Sequence, residues 1–425
     1  MLNFTTLPPL SLYIHYPWCA QKCPYCDFNS HAAPLAVNAR QRDEAYVNAL
    51  INDLEHELPA IWGRTIQTIF IGGGTPSLIQ PESLQNLLSQ ISARIKLSPM
   101  AEITMEANPG TVDQLKFEEF RQAGINRLSM GIQSFDDQLL KKIGRIHDSQ
   151  QARLAIERAK LAGFDNINLD LMYALPGQTL KNALNDVQQA IAFDTSHLSH
   201  YQLTLEPNTL FASQPPKLPD DDLSYEMQLE CQQLLADAGF EHYEVSAYAK
   251  PGKQCRHNLN YWQFGDYLGI GAGAHGKISD AAQQTITRRW KEKHPQRYFE
   301  MHSIEINSIE RSSLEMNSLE KNIIDINSTE KKAENSTNSI NSFMIGGQQQ
   351  LSRHDIGFEF MLNSSRLIDG FDSQLFFAHT GLPILQIEKG LKKAVALGLI
   401  EWHRDHIKPT ERGLQYLNEL QELFL

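Results

Sequence analysis

Short apolar runs alternate with amphipathic stretches through the first half of the chain. The runs Leu12–Tyr16, Thr68–Ile71, Glu102–Glu106, Arg127–Met130, Asn166–Met172 and Leu198–Leu203 have the length and residue choice of strands. Between them, Glu44–Leu58, Pro81–Ile95, Thr111–Ala123, Ser149–Ala162 and Leu180–Phe193 repeat apolar residues at helical spacing. Strict alternation of strand and helix predicts βαβ units around a parallel sheet. Six such strands fit an open doubly wound sheet or a complete or partial barrel, and spacing does not choose between these.

The unusual residues fall at the C-terminal ends of these runs, where parallel barrels carry their chemistry. Cys19 follows the first run, Gly72-Gly73-Gly74-Thr75 the second and Glu106 the third. Gln133 follows the fourth, and Asp170 lies within the fifth. A loop residue without a role is the plain reading of any one of them. Five in register make one functional mouth the better reading.

The pattern breaks after residue 302. Ser303-Ile304-Glu305, Ser308-Ile309-Glu310, Ser313-Leu314-Glu315 and Ser318-Leu319-Glu320 recur every five residues. A period of five fits neither helix nor strand, so residues 303–347 read as a low-complexity, disordered insertion. A solenoid needs larger side chains to bury. Beyond it, helices are predicted at Phe358–Leu367, Leu382–Leu397 and Gly413–Phe424, with a hairpin formed by Gly398–Trp402 and His406–Thr410. Helices plus a hairpin predict a small winged-helix-like domain over 348–425, after a main domain over 1–302. Asp220–Ala238 also reads as helical, with Cys231 in its core.

Composition narrows the class. The 425 residues are 41% hydrophobic and 21% charged, an ordinary globular balance. A net charge of −12 argues against wide contact with nucleic acid. No apolar run is long enough to span a bilayer, and Met1–Leu10 lacks a signal-peptide pattern, so a cytoplasmic protein is expected.

Three of the five cysteines, Cys19, Cys23 and Cys26, lie in one C-x3-C-x2-C loop after the first strand. Thiolates so close repel unless a metal or cluster holds them. Structural zinc would need a fourth ligand, for which His15 and His31 are candidates. A four-iron cluster normally takes four Cys, so three would leave one iron open.

The loop, with Tyr25 just before its last Cys, resembles the signature of radical S-adenosylmethionine (SAM) enzymes. The resemblance implies a [4Fe-4S] cluster, SAM chelated at its open iron, and a partial (β/α)6 TIM-like barrel. Further motifs are Gly72-Gly73-Gly74-Thr75-Pro76-Ser77, Glu106-Ala107-Asn108-Pro109, Gly131-Ile132-Gln133-Ser134-Phe135 and Asn168-Leu169-Asp170-Leu171-Met172-Tyr173. These are similar to the oxygen-independent coproporphyrinogen III oxidase family, over residues 11–290 and again from about 350. The resemblance implies that Cys19, Cys23 and Cys26 hold the cluster, with Tyr13 and Tyr25 against the cofactor. It gives Gly73, Gly74 and Thr75 to the methionyl amine, Glu106 to the ribose hydroxyls, and Gln133 and Asp170 to the nucleoside side. Arg145 would pair with the methionyl carboxylate through its guanidinium fork.

Within that family the chain resembles the haem-chaperone branch. The dehydrogenase branch has a further Cys two residues after the third cluster Cys, where this chain has Phe28, and a long N-terminal extension, where only a dozen residues precede Tyr13. His257-Asn258-Leu259-Asn260-Tyr261-Trp262 matches the H-N-x-x-Y-W motif of the chaperone branch. The resemblance implies haem as a ligand, with His257 on the iron, Asn258, Tyr261 and Trp262 around it, and Cys255 as a second thiolate or a free thiol. Its partner is then an unidentified haem-acceptor protein, soluble or membrane-associated. Oxidative decarboxylation of coproporphyrinogen III and RNA modification are the competing functions. Phe28, the short N-terminus and the acidic charge count against them.

Overall fold

The computed structural model describes residues 2–34, 37–300 and 345–425. Most of the expected insertion at 303–347 lies outside the described residues. Its last part does not: Ile345–Gln350 is a strand of the main sheet, so the boundary expected at 347 moves to the end of that strand.

Six parallel strands stand side by side in chain order: β1 Leu10–Tyr16, β2 Thr65–Gly73, β3 Lys96–Ala107, β4 Arg127–Gln133, β5 Ile167–Tyr173 and β6 His197–Gln202. The crossovers contain helices α1 Ala39–Glu57, α2 Pro81–Arg94, α3 Gln114–Ala123, α4 Asp137–Lys142, α5 Ser149–Leu161 and α6 Leu180–Ala192. Local sequence starts several of them. Asp113 caps α3 by accepting from Lys116 N, and Asp148 with Gln151 and Thr179 with Asn182 form capping boxes.

The six expected strands are all present. The third is much longer than Glu102–Glu106, because its start, with Lys96 exposed and Leu97 half-buried, pairs with Thr65 and Ile66 before a register shift. That exposed half carries no apolar pattern to betray it.

The sheet continues past both ends of the six. Helix α7 Asp221–Asp237 leads to β7 Glu241–Glu244 and β8 Ala247–Ala249, which add antiparallel beyond β6. Helix α8 Arg256–Trp262 leads to β9 Asp266–Ile270, parallel to β1, followed by β10 His275–Asp280, β11 Thr285–Lys291 and β12 Ile345–Gln350 in a meander. The order is β12-β11-β10-β9-β1-β2-β3-β4-β5-β6-β8-β7, so no hydrogen bonds join the first strand to the last and the barrel is open.

Each central strand divides its residues between two faces. Leu12, Ile14, Ile69, Ile71, Met105, Leu128, Met130, Leu169 and Leu171 form the main core, packed with Val47, Leu50 and Leu54 of α1 and Leu84, Leu87 and Ile91 of α2. The intervening positions Ser129, Gly131, Gln133, Asn168, Asp170, Ser199 and Tyr201 line a cavity inside the barrel. Two groups of buried charges are paired: Asp266 meets Lys277 at 3.0 Å and Arg64 at 2.8 Å, and Lys291 meets Asp53 and Glu57, each at 2.6 Å.

The C-terminal unit has helices α9 Arg353–Ser364, α10 Ser373–Thr380 and α11 Glu388–Ala396, and a sheet of β13 Phe371–Asp372, β14 Ile400–His403 and β15 His406–Pro409 in the order β13-β15-β14. The hairpin and winged-helix-like arrangement agree with the sequence. The helix expected from Leu382 begins only at Glu388, because Pro383 and a 3-10 turn precede it. The last expected helix is two short ones separated at Tyr416. The core of this unit recruits Ile286 from the main sheet, Phe264 from the turn before β9, and Leu2 and Phe4 from the N-terminus.

Candidate functional site

The cysteine loop closes over the C-terminal mouth of the barrel. Its start is pinned to the glycine run: Gly74 N donates to Tyr16 O at 2.8 Å and Thr75 N to Trp18 O at 2.7 Å. A Cβ on Gly74 would lie 2.6 Å from Trp18 O, and one on Gly73, at φ +113°, would lie 2.5 Å from the His15 ring. Only glycine permits this approach.

Below the loop lies a cavity of about 300 Å³. Of the residues expected at the cofactor, Cys19, Cys23, Tyr25, Cys26, Gly73, Gly74, Thr75, Glu106, Gln133, Arg145 and Asp170 all line it. They come from β1 through β5 and the loops that follow. One parallel register therefore gathers what the chain spreads over 150 residues, Cys19 to Asp170.

The wall is electrostatically divided. Glu106 accepts from Gly73 N at 3.1 Å. Burial, reinforced by Asp170, raises its pKa to about 8. Asp170 is also pushed upward by burial, opposed by hydrogen bonds from Asn168 at 2.7 Å and Ser129 at 3.1 Å. Arg145 donates to Gly131 O at 2.7 Å and approaches Cys23 Sγ at 3.7 Å. Gln133 has φ +69°, a conformation sparsely used by residues with side chains, and its Oε1 accepts from Tyr201 OH at 2.8 Å.

Burial raises the pKa values of the Cys19 and Cys26 thiols, and neighbouring thiols add to this. Such a set favours a soft cation that takes up thiolate. Among the described residues no three side chains converge on a single metal ion. A four-iron cluster does not ask for convergence, since its cysteines hold different irons. The zinc alternative lacks its fourth ligand at His15, whose nitrogens face Tyr13 OH at 3.0 Å and Asn29 O at 2.8 Å. His31 lies against His294, ring centroids 5.4 Å apart, with Nε2 3.3 Å from Asn29 Oδ1.

Two expected residues are not on the cavity wall. Tyr13 packs beneath it, stacked on Phe70 at 6.4 Å. His257 sits near the opposite end of the barrel. Glu102 accepts from His257 N at 3.1 Å and Arg256 N at 3.2 Å, so its carboxylate caps α8. The His257 ring shares a 2.9 Å hydrogen bond between Nδ1 and Thr68 Oγ1 and lies 5.1 Å from Phe70. Burial, with Arg127 nearby, lowers its pKa to about 3. Asn260 bonds Ser11 Oγ and Asp266 O, both at 2.9 Å. Trp262 lies under the Arg366 guanidinium at 4.4 Å, and Tyr261 packs on Tyr267 at 5.1 Å. Cys255 is buried, 3.6 Å from Glu102, with its pKa raised by burial to about 12. The H-N-x-x-Y-W segment is thus a plug in the barrel, and its exposed face toward the cavity is Asn258.

Sequence reasoning did not single out Phe70, Arg127, Ser129, Ser199 and Tyr201, which also line the cavity. Polar residues at every second position of otherwise apolar strands were the signal that could have found Arg127, Ser129, Ser199 and Tyr201, whereas Phe70 carries none.

The comparisons agree with this geometry. Residues 13–190 match the Radical SAM superfamily model, and 351–416 match the HemN C-terminal domain. The structure superposes on coproporphyrinogen III oxidase (HemN) from Escherichia coli, a radical SAM enzyme, with a TM-score of 0.74 at 20% identity, over 98% of this chain and 90% of that one. Fold and site define a radical SAM protein, a class that uses SAM and a [4Fe-4S] cluster. Heme chaperone HemW of Escherichia coli K12 is 45% identical over 99% of both chains. That of Haemophilus influenzae is 44% identical over 99% of this chain and 98% of its own. That of Bacillus subtilis is 40% identical over 63% and 71%. The chain belongs to the HemW haem-chaperone family.

Proposed function

We propose that this protein binds haem, carries a SAM-ligated [4Fe-4S] cluster, and hands haem to an acceptor protein in the cytoplasm. The carrying observation is full-length similarity to HemW proteins, both domains included. Phe28 supports it, since it stands where the dehydrogenase branch has a further Cys. Among the described residues no helix is long and apolar enough to cross a membrane.

Cys19, Cys23 and Cys26 would hold the cluster, which supplies one-electron chemistry at the sulfonium. The chain's own groups would do the binding. Gly73 and Gly74 let backbone approach the methionyl amine, while Arg145 faces its carboxylate. Glu106, once ionised, would accept from the ribose hydroxyls, and Gln133 and Asp170 would meet the nucleoside. Tyr25 covers the cofactor, and Tyr13 supports the wall from behind Phe70.

For His257 the geometry favours a structural role over direct ligation of haem iron. The residue is 8% exposed. Reaching a porphyrin would require α8 to leave the barrel and uncap itself from Glu102. The test of function is haem titration of anaerobically reconstituted protein, with coproporphyrinogen III turnover assayed on the same sample. A Soret shift without decarboxylation is expected. Robust decarboxylation without haem binding would instead establish the dehydrogenase.

A further inference from the structure

We propose that the floor of the barrel cavity, below the residues expected to take SAM, binds a small carboxylate on the guanidinium of Arg127. The inference rests on the SAM reading above and adds a second ligand beneath the cofactor.

Arg127 is the first residue of β4 and shares its inward face with Ser129, Gly131 and Gln133. At about 3.3 Å per residue, its Cα lies about 13 Å down the strand from Gly131, whose carbonyl holds Arg145. The two arginines therefore serve different levels of one cavity. Arg127 is 2% exposed, yet it reaches the cavity wall. Its Nε has no hydrogen-bond partner. The carboxylates that act on it, Glu102 and Asp170, do so through space, without a hydrogen bond to it.

Those two groups are committed elsewhere. Glu102 accepts from Arg256 N, His257 N and the Cys255 thiol. Asp170 accepts from Asn168 and Ser129. Burial raises the pKa values of Tyr243 and Cys255, so neither supplies an anion. Burial and this same cation keep His197 and His257 unprotonated. The buried cations Lys277 and Lys291 each meet a carboxylate directly. Arg127 does not, and a buried guanidinium cannot escape the cost by losing its proton. Its fork is left for something that enters the cavity.

The floor offers further polar groups at the same level. Thr104, the register partner of Arg127 on β3, is fully buried and its Oγ1 has no partner. Asn258 of α8 turns to the cavity wall, where its carboxamide can donate. A planar guanidinium matches the two oxygens of a carboxylate. The whole cavity is about 300 Å³ and its upper wall is assigned to SAM, so the ligand below has only a few heavy atoms.

The test uses acetate as the probe, on the full chain loaded with cluster and SAM. Thermal unfolding is followed against sodium acetate at constant ionic strength, with calorimetric titration of acetate into the same sample. Wild type should show a saturable rise in melting temperature, about 2 °C at tenfold excess over the Kd, with SAM still bound. Arg127→Met keeps the length and removes the charge. It should abolish the shift and, without acetate, melt no lower than wild type, because an unpaired buried charge has gone. Arg127→Lys keeps the charge without the fork and should bind acetate more weakly. Loss in the first variant and weakening in the second support the proposal. No saturable shift in wild type, or a shift of wild-type size in Arg127→Lys, overturns it. Displacement of SAM by acetate also overturns it, since the anion would then sit at Arg145. Wild-type protein that takes up no SAM overturns the SAM reading instead, and acetate titration of that same sample still tests the floor.

Discussion

His257→Ala separates a ligand from a structural plug. In the structure the imidazole fills space beneath Phe70 and bonds Thr68 Oγ1 at 2.9 Å, while Thr68 keeps a second bond to Ser11 at 2.8 Å. Removing the ring deletes one buried hydrogen bond, about 0.5–1.5 kcal/mol, because Thr68 retains Ser11 as a partner. It also leaves a void the size of most of an aromatic ring. Together these cost about 2–4 kcal/mol. Chemical denaturation of cluster-loaded protein reads this loss, and haem titration of the folded variant reads the ligand role. The expected result is lower stability, unchanged iron content and nearly unchanged haem affinity. His257→Asn retains a side-chain donor near Thr68 but no imidazole. It should recover part of the stability, and it too should bind haem. If both variants lose the Soret shift while His257→Ala melts like wild type, His257 is the iron ligand and the plug argument is refuted.

Cys19→Ala, Cys23→Ala or Cys26→Ala should each abolish the cluster absorption after anaerobic reconstitution, while wild type takes up about four irons per chain, as the cluster type requires. Stoichiometric zinc without iron would refute this. Glu106, with its pKa raised from 4.5 to about 8, stays protonated in the empty site at neutral pH. If the ribose hydroxyls need its ionised form, SAM affinity should rise as pH increases from 6 toward 8 and level off above. In Glu106→Gln it should be weaker and flat across that window. The raised pKa also means that Glu106 costs the empty protein stability increasingly between pH 4.5 and 8, so the Gln variant's relative stability should grow over the same range. Asp266→Ala strands Lys277, buried against it at 3.0 Å, and should cost about 3–5 kcal/mol in urea unfolding. A loss under 1 kcal/mol would show that Lys277 finds other partners.

Much of the site was legible in the chain because it is built from local patterns at strand ends. The cysteine loop, the glycine run, Glu106 and Gln133 each follow or end a strand whose apolar pattern is visible, and Asp170 lies within one. A parallel register then makes them neighbours, and a few residues of uncertainty at strand boundaries do not alter that. The exposed half of β3 escaped notice because exposed strand residues have no core to mark them. Residues 301–344 lie outside the described structure, and the repeat read there stands as a sequence observation.

By itself, then, the sequence determined the six βα units, the mouth to which their reactive residues belong, and the hairpin of the C-terminal unit. These are set by residue spacing and turn chemistry within short segments. Tertiary structure alone decided which strand face turns inward, and so made Arg127, Ser129 and Tyr201 cavity residues. It also decided that α8 docks under Glu102, 155 positions from His257 in the chain, and so buried the imidazole that the H-N-x-x-Y-W motif offers to haem. It drew Leu2 and Phe4 into the C-terminal core. No local pattern encodes such contacts, because they depend on how a folded sheet curves and which of its ends remains to be filled. That curvature is a property of the assembled barrel.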